Sequence, residues 1–184
     1  MDWRTDPWPV VASETEYETG WYTGGYDRVE QPDGTTKDYY WADLPDAVVV
    51  LALDGDDVVF VEQYRPVIRE HCLELVAGIV EDGEDYEAAA RRELREETGY
   101  VADEVTLVQR IACTTGVLRH ERGIVVARDL EAGERDLDAN EFLEVRRVPA
   151  AEALSRARDD QGRDGRANDA TLEGLLLAAA DGYL

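Results

Sequence analysis

Lysine is almost missing from this chain. Lys37 stands alone among 19 basic residues, against 42 aspartates and glutamates, and the formal net charge is -23 over 184 residues. A field of that sign repels nucleic-acid phosphates and anionic headgroups, which excludes non-specific nucleic-acid binding and a charged membrane surface as partners. The acidic residues are spread along the chain and interleaved with apolar ones, so they are not the tail of a disordered protein. Their excess reads as adaptation to a salty cytoplasm, where self-repulsion is screened and carboxylates keep the surface hydrated. Cysteine is scarce too: Cys72 and Cys113 make neither a disulfide framework nor a zinc spacing, and buried thiols fit a reducing compartment. No apolar run is long enough to span a bilayer, and the N-terminus lacks a basic region followed by an apolar one, so the expected location is the cytoplasm. Internal repeats are absent, and the polar, Gly-containing stretch from Arg158 to Asn168 reads as a loop. The length suits one domain with a sizeable core and a small N-terminal addition.

What the chain has in plenty is glutamate, and most densely in GIVEDGEDYEAAARRELREETGY, from Gly78 to Tyr100. Asp85 is placed to cap a helix, Ala88 to Ala90 favour one, and Gly99 supplies the left-handed residue that stops it. On that helix Glu93, Glu96 and Glu97 fall at i, i+3 and i+4 and share one face. Like charges so spaced cost an isolated helix roughly 0.2–0.5 kcal/mol per pair. A hard divalent ion such as Mg²⁺, which takes carboxylate oxygens together with water and substrate phosphates, reverses the sign. The carboxylates alone leave two readings open, half of a metal site or an acidic helix in an acidic protein. Arg92, four residues before Glu96, is within reach of a salt bridge that holds that carboxylate in one rotamer. Leu94 falls off the acidic face and points into the core, and Gly78, with no side chain, lets the backbone at Ala77 approach a metal closely.

The flanking positions break the tie. Gly78, five residues, Glu84, seven residues, Arg92-Glu93-Leu94, one residue, Glu96-Glu97, Thr98, Gly99 and Tyr100 fill every fixed position of a known pattern. The stretch resembles the complete signature of the Nudix hydrolases, which is too long a match to arise by chance. The resemblance implies a loop-helix-loop that grips metal ions, Mg²⁺ with Mn²⁺ as the alternative, and cleaves a nucleoside diphosphate linked to another group. It implies metal ligation by Glu93, Glu97, the Ala77 carbonyl, Glu96 and Glu141, with Gly78, Glu84, Arg92 and Gly99 as structural members. The implied fold is α/β (α+β), a Nudix-type α/β/α sandwich with a mixed sheet, plus a small N-terminal antiparallel sheet.

The remaining chain is similar to the ADP-ribose pyrophosphatase branch of that family. Residues 1–45 hold an antiparallel hairpin around Gln31-Pro32-Asp33-Gly34, with Trp3, Trp8, Tyr17, Trp21, Tyr22, Tyr26, Tyr39, Tyr40 and Trp41 nearby. Most of these aromatics read as packing. By the resemblance the sheet pairs two copies into a homodimer, and Trp21 with Tyr40 or Trp41 stacks on adenine. Residues 46–184 form the hydrolase domain. AVVVLALDGDDVVFVEQYRP reads as two strands buried on both faces, closing at Arg65, which suits a diphosphate oxygen or a structural salt bridge. Leu73 to Ala77, Val105 to Cys113, Gly123 to Ala127 and EFLEVRRVP read as further strands, and NDATLEGLLLAAADGYL as a capped closing helix. The branch has proline where Val76 stands, and again sixteen residues beyond the last signature glycine, where this chain has Thr115. His120 and Glu121 read as loop residues able to reach the site or to stay in solvent. In the acidic loop EAGERDLDANEF, Glu141 matches a glutamate that ligands metal or takes a proton from water; Ala139 stands where a base can occur, leaving Asp138, Glu134 or Glu121 as substitutes.

The expected reaction is Mg²⁺-dependent hydrolysis of ADP-ribose or a related ADP-sugar to AMP and a sugar phosphate, with Glu96, Glu97 and Glu141 as its catalytic carboxylates. Two rivals stand beside it. One is a Nudix hydrolase of another nucleoside diphosphate derivative, an NDP-sugar, NADH or a dinucleotide, which Thr115 keeps open. The other is a non-catalytic sensor of a nucleotide metabolite, against which the unbroken glutamates argue.

Overall fold

The computed structural model describes residues 4–159 and 165–184. In chain order the elements are β1 Val10–Glu18, β2 Thr23–Glu30, β3 Thr36–Asp43, β4 Ala47–Asp54, β5 Asp57–Arg65, β6 Glu70–Ile79, α1 Tyr86–Thr98, β7 Tyr100–Ala112, β8 Leu118–Arg119, β9 Glu121–Ala132, β10 Leu143–Pro149, α2 Ala150–Ala157 and α3 Asp169–Ala180. The chain divides into two compact units, Met1–Asp46 with Ala112–Glu121, and Ala47–Ile111 with Arg122–Leu184.

The first unit is a four-stranded sheet in the order β1-β2-β3-β8. Its central hairpin turns where the Pro-Asp-Gly signal puts it. The Asp33 carboxylate accepts from the Thr35 N–H at 3.0 Å, and Gly34 takes φ 80, open to a residue without Cβ. β1 was not expected, because all nine of its residues are exposed and no inside–outside alternation marks it. β8 joins β3 in parallel, Ala42 opposite Leu118, so the small sheet is not purely antiparallel and the 112–121 loop belongs to this unit.

The second unit is a mixed six-stranded sheet in the order β10-β5-β6-β4-β9-β7, with β4 and β9 parallel and its other registered pairs antiparallel. β4 and β5 meet across Gly55 and Asp56, Gly55 at φ 62. The Val-rich strands are buried on both faces, as their unbroken apolar runs require. Val48, Val50 and Ala52 pack with Ala89, Ala90 and Leu94 of α1, while Val49, Leu51, Leu73 and Leu75 pack with Ala153 of α2 and Leu175 of α3. Helices therefore cover both faces, the sandwich the sequence implied.

α2 was not expected: it starts directly after Pro149 with no side-chain cap to announce it. β7 begins at Tyr100, five residues before the apolar run at Val105, because the chain turns into the sheet as soon as Gly99 ends α1. In the loop expected over Arg158–Asn168, Arg166 bridges to Cys72; residues 160–164, and Trp3 at the other end, lie outside the described residues. Among the described residues no helix is long and apolar enough to cross a membrane.

Candidate active site

The rotation of α1 decides where its glutamates go. The Asp85 side chain accepts from the Ala88 N–H at 2.8 Å, closing the first turn. Gly99, at φ 81, ends the helix and donates its N–H to the Arg95 carbonyl. With Ala89, Ala90 and Leu94 fully buried, Glu93 and Glu97 are drawn in behind them, 9% and 4% exposed. Burying Leu94 alone contributes about 1.5–3 kcal/mol to holding that rotation.

Arg92 organises the acidic face. The Nε and Nη2 edge of its guanidinium forks onto Glu84 at 3.1 and 2.9 Å, and Nη1 donates to Glu93 at 2.7 Å and Glu96 at 3.2 Å. Glu84, a signature position with no obvious role in the sequence, is thus the anchor of the arginine that spaces the other carboxylates. Arg92 also keeps the Glu84 carboxyl below its ordinary pKa. Gly78 has a further reason beside the expected one: a Cβ built there would lie 1.9 Å from the Glu93 carboxylate. The glycine makes room for that side chain. Ala77, one residue earlier and so on the opposite sheet face, packs beside the α2 and α3 core.

Glu97 is the most stressed group of the site. Its Oε2 is buried without a hydrogen-bond partner. Burial, then the nearby Glu93 and Glu141 carboxylates, push its pKa well above the usual range, with Arg65 pulling the other way. Glu93 is also raised, by burial first and by Glu96 and Glu141 next, against the opposing Arg92 contact. Arg65 itself is held side-on by the buried Glu74, with Nε at 3.0 Å and Nη2 at 2.5 Å from Oε2, and Gln63 donates to the same oxygen at 3.1 Å. The structural salt bridge is therefore formed, while its position beside Glu97 also suits an anionic ligand. Glu74 was missed in the sequence, although a lone charge inside the apolar run of β6 marks it.

Glu141 lies in the loop before β10. Its carboxylate accepts from the Asp138 N–H at 3.1 Å and its own N–H donates to the Asp138 carbonyl at 3.0 Å, a closed turn. Asp138 therefore supports Glu141 through its backbone. Glu134 and Ala139 are exposed in the same loop.

These groups fit a hard divalent cation. The donors are carboxylate and carbonyl oxygens, the Glu97 Oε2 lacks a partner, and the pKa values are raised by burial first and by carboxylate repulsion next, both of which a cation offsets. Among the described residues no three His, Cys, Asp or Glu side chains form a ready-made metal cluster; here Arg92 occupies oxygens of Glu93 and Glu96.

The other named residues belong to the first unit. Trp21 is 70% exposed and Tyr40 59% exposed, whereas Trp41 is engaged: its Nε1–H donates to Asp27 at 3.1 Å and Arg119 lies 4.0 Å over its ring. Trp41, Tyr40, Asp27, Arg119 and Thr115 line a cavity of about 200 Å³. The His120 ring Nδ1 lies 2.7 Å from the Pro45 carbonyl, and the Glu121 N–H donates to Asp46 at 2.8 Å.

Comparison with known proteins adds lineage to this geometry. The family model described as NUDIX domain matches residues 43–167. The chain is similar to the ADP-ribose pyrophosphatase of Bacillus subtilis (strain 168), 33% identical over 141 residues that cover 75% of this chain and 76% of that protein. It is equally similar to the methanol dehydrogenase activator of Bacillus methanolicus, 33% identical over 143 residues, 76% of this chain and 77% of that one. The crystal structure of an ADP compounds hydrolase shares its fold with a TM-score of 0.85 at 22% identity, over 97% of this chain and 98% of that chain.

Proposed function

The chain belongs to the Nudix family, as a pyrophosphohydrolase of the ADP-ribose pyrophosphatase branch, and from that premise we propose that it hydrolyses ADP-ribose or a related ADP-sugar to AMP and a sugar phosphate, with Mg²⁺ as its ion and Mn²⁺ as a substitute. One observation carries the reading: Glu97, with an unpartnered oxygen and a pKa raised by burial and then by two further carboxylates, on the helix of an unbroken signature. Such an arrangement is costly in a protein that binds no cation.

Glu93, Glu97, the Ala77 carbonyl, Glu96 and Glu141 would hold the ion. Once bound it supplies the charge neutralisation that lets an anionic diphosphate be attacked, and it lowers the pKa of water. The chain's own groups do the rest. Arg65, clamped by Glu74, binds a diphosphate oxygen; Glu141 receives the proton of the attacking water; Arg92 keeps Glu93 and Glu96 in place. In the first unit, Trp21 with Tyr40 or Trp41 stacks on the base, and the exposed β1 edge is the contact to a second copy in a homodimer. The acidic surface is suited to a cytoplasm of high salt, where the screening length falls to about 3 Å at 1 M.

Thr115, in place of the branch's proline, favours a second reading in which the substrate is another nucleoside diphosphate derivative. The test is incubation in molar salt with Mg²⁺ and ADP-ribose, ADP-glucose, GDP-mannose, NADH or diadenosine polyphosphates. AMP with ribose 5-phosphate appearing fastest supports the first reading. Faster turnover of another compound moves the assignment to the second, and tight binding without turnover would make the protein a sensor.

A further inference from the structure

The loop that carries Glu141 does not hang free of α1, and one side chain ties both ends of that loop together. A helix leaves its last carbonyls without intrahelical partners, and in α1 the acidic loop supplies them. The Asp136 N–H donates to the Glu96 carbonyl at 3.1 Å and the Gly133 N–H to the Gly99 carbonyl at 2.6 Å. The Arg135 Nε donates to the Glu97 carbonyl at 2.5 Å, while its Nη2 donates to the Leu143 carbonyl at 2.9 Å. Nε–H and Nη2–H leave the same edge of a planar guanidinium, so the two carbonyls they bind are drawn side by side. One belongs to Glu97; the other lies two residues past Glu141. On its other side Glu141 is closed by the Asp138 turn.

We infer that Arg135 is a positioning residue, a brace that fixes the backbone of the Glu141 loop against the last turn of the glutamate helix and so sets the placement of Glu141 relative to Glu97. It works on backbone oxygens and touches no reacting atom in this arrangement. Lysine cannot replace it, because a single ammonium lacks the fixed fork that holds two carbonyls together. A cation at a helix C-terminus is also favoured by the helix dipole, which accounts for an arginine here in an otherwise acidic loop. This inference rests on the proposed role of Glu141.

The test compares Arg135→Met, close in length but without donors, and Arg135→Lys with the wild type, each also in a Glu141→Gln background. Misplacing a reacting group by about 1 Å costs up to roughly 100-fold. The expected result is a roughly 10- to 100-fold fall in kcat with KM for the hydrolysed substrate changed less than about twofold, only partial recovery in Arg135→Lys, and no further fall when Arg135→Met is added to Glu141→Gln. Independently of activity, amide hydrogen exchange at Gly133 and Asp136 should quicken in the metal-free Arg135→Met protein. If Arg135→Met does not fold, Arg135→Lys carries the same comparisons. A fall of equal size in both backgrounds, an unchanged kcat, or unchanged exchange overturns the brace while leaving the proposed reaction standing. Full turnover by Glu141→Gln overturns the proposed role of Glu141 and the brace with it, whereas a wild type inactive on every compound overturns the functional reading itself.

Discussion

Replacing Glu97 by glutamine should inactivate the protein and, in the absence of metal, stabilise it. Glu97 is 4% exposed, has one oxygen with no hydrogen-bond partner, and faces Glu93 and Glu141. Leaving a buried polar group unsatisfied costs about 1–3 kcal/mol, and a charge more. The amide keeps the shape, loses the charge and adds donors for the facing carboxylates, so a gain of about 1–3 kcal/mol is expected in the metal-free protein. For a chain of this size that is a rise in Tm of about 2–12 °C. The pH dependence has a fixed sign. A carboxyl whose folded-state pKa lies above its unfolded value stabilises fully below the unfolded pKa and loses that contribution as pH rises through the folded one. The gap between Glu97→Gln and wild type should therefore be widest at neutral and alkaline pH and close in mild acid. Saturating Mg²⁺, at about 100 times its Kd, should add about 2.7 kcal/mol to the wild type and little to the variant. Turnover should fall at least about 100- to 1,000-fold, the scale of losing one preorganised charged group. The assays are thermal melts from pH 5 to 8 with chelator or Mg²⁺, together with product formation. A metal-free Glu97→Gln protein that melts below wild type at pH 8 would refute the reasoning, since the carboxylate would then have been a stabilising group.

Glu84→Gln should show the opposite pH sign. Arg92 lowers the Glu84 pKa, so its contribution exists above the unfolded pKa and is lost as pH falls through the folded one; denaturant melts should show a deficit of about 1–2 kcal/mol at pH 7 that narrows in acid. Gly78→Ala places a Cβ 1.9 Å from the Glu93 carboxylate and must displace it. Titration with Mn²⁺ should show affinity weakened by roughly 10-fold or more, for a stability loss of about 1–3 kcal/mol. Leu94→Ala removes a fully buried side chain beneath the acidic face and should cost about 2–5 kcal/mol by urea melts, with residual folded protein retaining its product pattern.

How far the sequence reveals this molecule depends on whether a residue's partners are close to it along the chain. α1, its Asp85 cap and its Gly99 stop are local, and so were legible in full. The unbroken apolar runs of β4 and β5 announced strands buried on both faces, since nothing but a covered sheet accepts them. β1 and α2 were not legible, the one because exposure on both faces erases alternation, the other because it begins on proline without a side-chain cap. In the site the division is the same. The Arg92 to Glu96 contact is one helical turn and was expected, whereas the partnership of Arg92 with Glu84 and of Arg65 with Glu74 joins different elements. Gly78 shows how one letter can carry a reason that its sequence neighbours do not reveal. Its neighbour in space is Glu93, fifteen positions on, brought back by the pairing of helix with strand. A glycine demanded by a distant side chain looks, in sequence, identical to one demanded by backbone approach to a ligand. Arg135 extends the point: an arginine among acidic residues reads as a surface charge until the fold brings the Glu97 and Leu143 carbonyls to one edge of its guanidinium. Residues that bind atoms can be found by their chemistry, but residues that hold others across separate elements are found only where the chain has folded around them.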